Sequence, residues 1–247
     1  MAEQKQNFLY RLQSLYKGLF PKRIKLSAHD QQLLALMYPN IANNRMQFFD
    51  GMPWYMLHTF AIAAALPAAY GRKSIHIYFR DYKSDDFNTL VTLVHEVYHA
   101  QQYCDLSKKK VPEVSFFRVF IWHYLGWFWS IFFSAIFKEK KSLKQSGYDA
   151  YRKHPMEVPA YQHETNFGRA YRRFLMDDGL SLPLFFEENP NLVQVDSGYG
   201  NIRPAWWAMF FAMLISLFVT ISKPILELLL LLLLLPIILI FGKGIKK

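Results

Sequence analysis

Cysteine is nearly absent from this chain. Of 247 residues only Cys104 is one, which excludes an intramolecular disulfide framework and fits a reducing compartment. Acids are also scarce: 19 Asp and Glu stand against 29 Lys and Arg, for a formal net charge of +10. An excess of that size calls for an anionic partner, either nucleic acid or an anionic membrane surface. The basic residues lie beside apolar runs and form no aromatic-interleaved platform for single strands, so the membrane is expected and nucleic acid is not. A secretory leader is missing as well, because Glu3, Lys5, Arg11 and Lys17 interrupt the first twenty residues. The N-terminal part is therefore expected in the cytoplasm. What is abundant is apolar and aromatic: 52% hydrophobic and 17% aromatic residues, with charge thinning over the last forty positions. One medium domain plus membrane segments accounts for this better than two soluble domains.

In chain order, Phe8, Leu12, Leu15, Tyr16 and Leu19 recur at helical spacing among Lys and Arg, so residues 1–25 read as a basic amphipathic helix and its exit at Pro21. Ser27, as an N-cap with Asp30 three residues later, opens a second helix that runs to Tyr38-Pro39. A short strand is expected at Arg45–Asp50, and the uncharged run Trp54–Tyr70 reads as a buried helix. Ile75, Ile77 and Phe79 alternate with His76 and Tyr78, which makes Ser74–Arg80 a strand. His76 reads as an exposed strand histidine.

The next helix, Thr89 to about Tyr103, carries the chemistry. Within Val94-His95-Glu96-Val-Tyr-His99-Ala-Gln-Gln, two histidines four apart lie on one helical face and offer two imidazoles to one metal. Glu96 then points at the metal's open position as general base, the H-E-x-x-H arrangement of zinc hydrolases. Leu90, Val91, Leu93, Val94, Val97 and Tyr98 give the helix an apolar back. Cys104 reads as a small buried hydrophobe.

Such a site needs a third protein ligand. Downstream candidates are His154, Glu157, His163 and Glu164. Five pieces of the chain are similar to a family of small bacterial HExxH domains of the gluzincin type, assigned as zinc peptidases: Leu26-Ser-Ala-His-Asp, Arg45-Met-Gln-Phe-Phe-Asp-Gly, Ile75-His-Ile-Tyr-Phe-Arg-Asp, the motif itself, and Tyr148-Asp-Ala-Tyr-Arg-Lys-His-Pro-Met-Glu-Val-Pro-Ala-Tyr. The likeness covers roughly Leu26 to Glu164. It implies that Glu157 completes the ligand set with His95 and His99, that the metal is Zn²⁺, and that the substrate is a peptide or protein. Many members carry a further Glu where this chain has Ala160. By itself Glu157 would read as an acid stabilised by a helix N-terminus.

That assignment constrains topology. Phe116–Phe137 is long and apolar enough to span, but a crossing there would strand Glu157 on the far side from His95 and His99. Its seven phenylalanines and three tryptophans suit the membrane surface. Residues 204–242 read as a membrane hairpin broken at Ser222-Lys223-Pro224, residues 181–203 as a linker, and 243–247 as a basic tail. Basic flanks on every other segment place the domain on the cytoplasmic face of a bacterial inner membrane.

The expected fold is α+β and mainly helical, with a small sheet beside the motif helix in a zinc metallopeptidase-like domain at 26–180. The expected function is a membrane-anchored zinc hydrolase in which Glu96 activates water. Tyr151, Tyr161 or His163 would serve as the transition-state donor, and the Ser74–Arg80 strand would pair with extended peptide if its edge is free. Two other readings stand beside it: a lipid-active hydrolase, and a non-catalytic membrane adaptor whose zinc is structural, with His163 or Cys104 as a fourth ligand, or absent.

Overall fold

The computed structural model describes residues 21–41, 46–53, 56, 61–68, 74–108, 119–177, 181–194, 197, 204, 206–210 and 212–214. A four-stranded sheet comes first, built from β1 (Lys22–Ile24), β2 (Met46–Asp50), β3 (Ala63–Pro67) and β4 (Ile75–Phe79) in the order β1-β2-β4-β3. The β2–β4 pair is parallel, and the two outer pairs are antiparallel. The alternation in β4 fits this placement. Ile75, Ile77 and Phe79 are buried at 0–3% exposure, whereas His76 and Tyr78 turn to the other face and pack with Phe49. His76 is thus a sheet-face histidine.

Helices cover the buried face. Helix α1 (Ala28–Met37) begins where Ser27 Oγ accepts the Asp30 amide at 3.1 Å. Helix α2 (Phe87–Lys108) carries the motif. It starts with the Asp86 carboxylate accepting both the amide and the hydroxyl of Thr89, at 2.8 and 3.0 Å, which satisfies donors that a helix start leaves orphaned. Leu93 and Val97 on its apolar back are fully buried, each contributing roughly 2 kcal/mol by burial. A wide π-helical turn (Phe120–Leu125) leads into the aromatic helix α3 (Gly126–Phe137), which packs on α4 (Leu143–Arg152). Helix α5 (Glu157–Phe174) lies along α2, and the short α6 (Leu182–Glu188) closes against α1.

The fold is α+β and mainly helical with a small sheet beside the motif helix, as the residue pattern implies. Three segments differ from that pattern. Ala63–Pro67 is a strand inside the run that reads as a helix, because three alanines have high local helix propensity but gain more from pairing with β4. The region expected as a linker contains α6 and a 3₁₀ turn at Pro190–Leu192, held by Leu182, Phe185, Phe186 and Leu192 in the core. Strand β1, three residues long, has no periodic signal of its own. The N-terminal amphipathic helix lies outside the described residues, as does nearly all of the 204–242 hairpin. Among the described residues no helix is long and apolar enough to cross a membrane.

Candidate metal centre

His95 and His99 sit on one face of α2, and Glu157 is the first residue of α5, brought opposite them by the packing of α5 on α2. All three are buried, at 5%, 4% and 2% exposure. The Nε2 atoms of the two histidines are 3.2 Å apart. Glu157 Oε2 lies 3.3 Å from His95 Nε2, and Oε1 lies 3.5 Å from His99 Nε2. A tetrahedral zinc with ligands at about 2.0–2.1 Å requires ligand–ligand edges of about 3.3–3.4 Å. The His95–His99 and His95–Glu157 edges are close to that size, and one donor atom from each of the three residues lies within 4.8 Å of the others.

The surrounding hydrogen bonds settle which nitrogens face the centre. His95 Nδ1 donates to Glu164 Oε2 at 2.9 Å, and His99 Nδ1 donates to Gln102 Oε1 at 2.8 Å. The Gln102 amide is itself oriented, because its Nε2 donates to the Met156 carbonyl at 2.9 Å. With both Nδ1 protons committed to acceptors, neutral imidazoles present bare lone pairs at Nε2. Those lone pairs converge on the Glu157 carboxylate, whose buried Oε2 has no hydrogen-bond donor among the described residues. Such an arrangement is repulsive until a cation or a proton enters. Burial works against charge on His95, but Glu157 and Glu164 outweigh it and lift its pKa to about 10. Glu157, although burial disfavours its charge, is held well below the usual carboxylate range by the two imidazoles. The group can hold a metal ion. Two imidazoles and a carboxylate, with outer partners on both rings, are a donor set that suits zinc.

Glu96 sits on α2 beside His95, 7% exposed. Burial raises its pKa, offset in part by the two imidazoles and by the nearby backbone N–H of Ala65 on β3. This corrects the expected peptide edge. Strand β4 is interior, paired on both sides; the edge that faces the centre is β3. Ile62 and Ala68 bond to the β4 side, so Ala63 and Ala65 point their backbone groups outward. The Ala65 N–H lies near Glu96, and its carbonyl accepts from the Tyr103 hydroxyl at 3.3 Å.

The three expected donors separate. Tyr161, one helical turn after Glu157, lies against His95 with ring centroids 4.7 Å apart, and its hydroxyl meets that of Tyr151 at 2.8 Å. His163 faces the core instead, packed between Tyr38 and Tyr98. Of the other third-ligand candidates, Glu164 becomes the partner of His95, on the same α5 face as Glu157 and Tyr161. His154 donates through Nε2 to the Tyr124 carbonyl at 2.8 Å and accepts the Met156 amide at Nδ1. Cys104 is buried in the core.

Two residues of the centre escape sequence reasoning. Gln102 sits three positions after His99, a spacing that places it on the same face and is readable in retrospect. Tyr124, on the π turn, donates to Glu157 Oε1 at 2.6 Å, and nothing in an aromatic run singles it out. Tyr124→Phe is expected to weaken metal binding about tenfold, as loss of an outer-shell partner typically does. Competition with a chromophoric chelator measures it, and unchanged affinity would show that Glu157 needs no such support.

Buried neutral histidines also give the fold an acid limit. Burial pushes both His154 and His163 down to about 4, whereas in the unfolded chain histidine titrates near 6.5. Between those values the unfolded state takes up protons that the folded state excludes, so stability falls as pH drops below about 6.5. The loss is on the order of 2 kcal/mol for each histidine at pH 5. Urea denaturation at pH 7 and pH 5 is expected to show it, with a shallower pH dependence in His163→Phe.

Set against known proteins, the chain matches no family model, no curated protein and no solved structure.

Proposed function

We propose that this chain is a zinc-dependent hydrolase of the metallopeptidase type. The observation that carries the reading is the buried triangle of His95, His99 and Glu157, with lone pairs facing inward and both outer nitrogens committed to acceptors. Bound there, zinc would supply Lewis acidity for a carbonyl and a lowered pKa for water at its remaining position.

The chain's own residues do the rest. Glu96, buried beside the triangle with its pKa raised, is placed to take a proton from the attacking water and hand it to the leaving nitrogen. An extended peptide pairing at Ala63 on the β3 edge would bring a carbonyl alongside Glu96. Tyr161, steadied by Tyr151, is the donor closest to His95 and is assigned to the developing oxyanion.

A structural zinc site closes with four protein ligands. Here three His, Cys, Asp or Glu side chains converge among the described residues, and His163 and Cys104 lie elsewhere, which supports the catalytic reading over the adaptor one. The test is hydrolysis of a quenched-fluorescent peptide library by the purified chain. Activity is expected to disappear on treatment with a chelator and to return on adding zinc. Activity that survives complete removal of metal would overturn the proposal.

A further inference from the structure

Helix α3 and the residues that return alongside it are packed the wrong way round for water. Small residues are the buried ones on both: Ala135 on α3 and Ala208 and Ala212 on the returning residues are at most 1% exposed, and the two approach so closely that a Cβ added at Gly126 would meet Pro204 Cγ at 2.7 Å. Large apolar side chains point outward. Phe137 is 75% exposed, Trp206 76%, Phe210 51%, and Trp122, Met213 and Leu214 each more than 40%. Along α3, aromatic rings stack at helical spacing, Phe128 on Phe132, Trp129 on Phe133 and Phe133 on Phe137, with Trp207 against Phe133. Small residues inside and large ones outside is how helices pack when the solvent is hydrocarbon, where burying bulk between helices gains nothing. A patch of this kind on a chain in water would be an aggregation liability.

Charge says which apolar partner fits. Lys138, Lys140 and Lys144 are exposed just beyond Phe137 and beside Leu143, itself 71% exposed. Aromatic rings rimmed by lysines match the interface of a bilayer that carries anionic headgroups. The sequence is continuous with it, since Leu214 leads directly into the apolar run that ends at Phe241.

We propose that the outward face of α3 and of residues 206–214 docks into the interfacial layer of an anionic phospholipid bilayer, and that this docking sets the metal centre close to the bilayer surface. The link is the π turn. Trp122 faces outward, while Tyr124, two residues on and so on another side of the turn, holds Glu157. One helix width, about 10 Å, separates the lipid face from the third ligand. Substrates would then be polypeptide segments lying at the membrane surface; only this corollary rests on the hydrolase reading.

The test places nitroxide labels on the full chain in a Cys104→Ala background, at Trp122→Cys, Phe137→Cys and Phe210→Cys. Met176→Cys and Leu184→Cys, exposed positions on other elements, serve as references. In vesicles of phosphatidylcholine and phosphatidylglycerol, the first three labels are expected to be reached by oxygen and shielded from a water-soluble nickel relaxant, and the references the reverse. Changing Lys138, Lys140 and Lys144 to Glu should reduce shielding at Phe137→Cys in those vesicles and leave it unchanged in phosphatidylcholine alone. The proposal fails if labels 122 and 137 are as open to nickel as the references, or if they are shielded from oxygen and nickel alike, which would mean a protein partner. It also fails if the lysine changes have no effect that depends on lipid charge. The labels report position whether or not the chain hydrolyses anything.

Discussion

Glu96→Gln is expected to lower peptide hydrolysis about a thousandfold while leaving zinc content unchanged. The amide has nearly the shape and volume of the carboxyl, so the β3 edge and the motif helix should stay in place. It cannot accept a proton, and loss of a positioned general base costs about 10²–10⁴ in rate. Zinc is retained because Glu96 lies outside the triangle formed by His95, His99 and Glu157. The measurements are kcat on a cleaved peptide and metal content by elemental analysis of the same preparation. Full hydrolysis by a zinc-loaded variant would remove Glu96 as the base, and loss of zinc would place it among the ligands.

Glu157→Ala carries the second large effect. It removes one corner of the triangle and leaves the Tyr124 hydroxyl without its acceptor. Losing an outer-shell partner costs about 10–100-fold in metal affinity, so losing a ligand should cost more than about a hundredfold, and hydrolysis should go with it. The two imidazoles keep their Glu164 and Gln102 partners, and the variant is expected to fold, which circular dichroism checks. Zinc bound undiminished by the variant would remove Glu157 from the ligand set and reopen Glu164 or His154.

What the sequence shows of this site depends on how local the interactions are. The motif helix, its apolar back and the paired histidines rest on spacings within a few residues, and they stand where the pattern puts them. Glu157 is reached across some sixty intervening positions, partly by likeness to the HExxH family, and the fold brings it to the histidines. Strand β3 is hidden from a sequence reading because its conformation depends on a partner, β4, rather than on its alanines. Tyr124 is hidden because a tyrosine in an aromatic run carries no mark of its contact with Glu157. His163 looks like an equal candidate donor because it stands only two positions after Tyr161; on a helix that offset turns it to the Tyr38–Tyr98 side of the core.

The π turn at Phe120–Leu125 makes the register of one helix a property of the metal site. A turn of this kind takes up more residues than an α-helical one and re-aims the helix beyond it, so the same short stretch decides both which rings of α3 face outward and whether Tyr124 meets Glu157. Insertions or deletions between Val119 and Gly126 therefore act on Glu157 through Tyr124, although most of the residues there are apolar. The turn can change its outward side chains, but not its length.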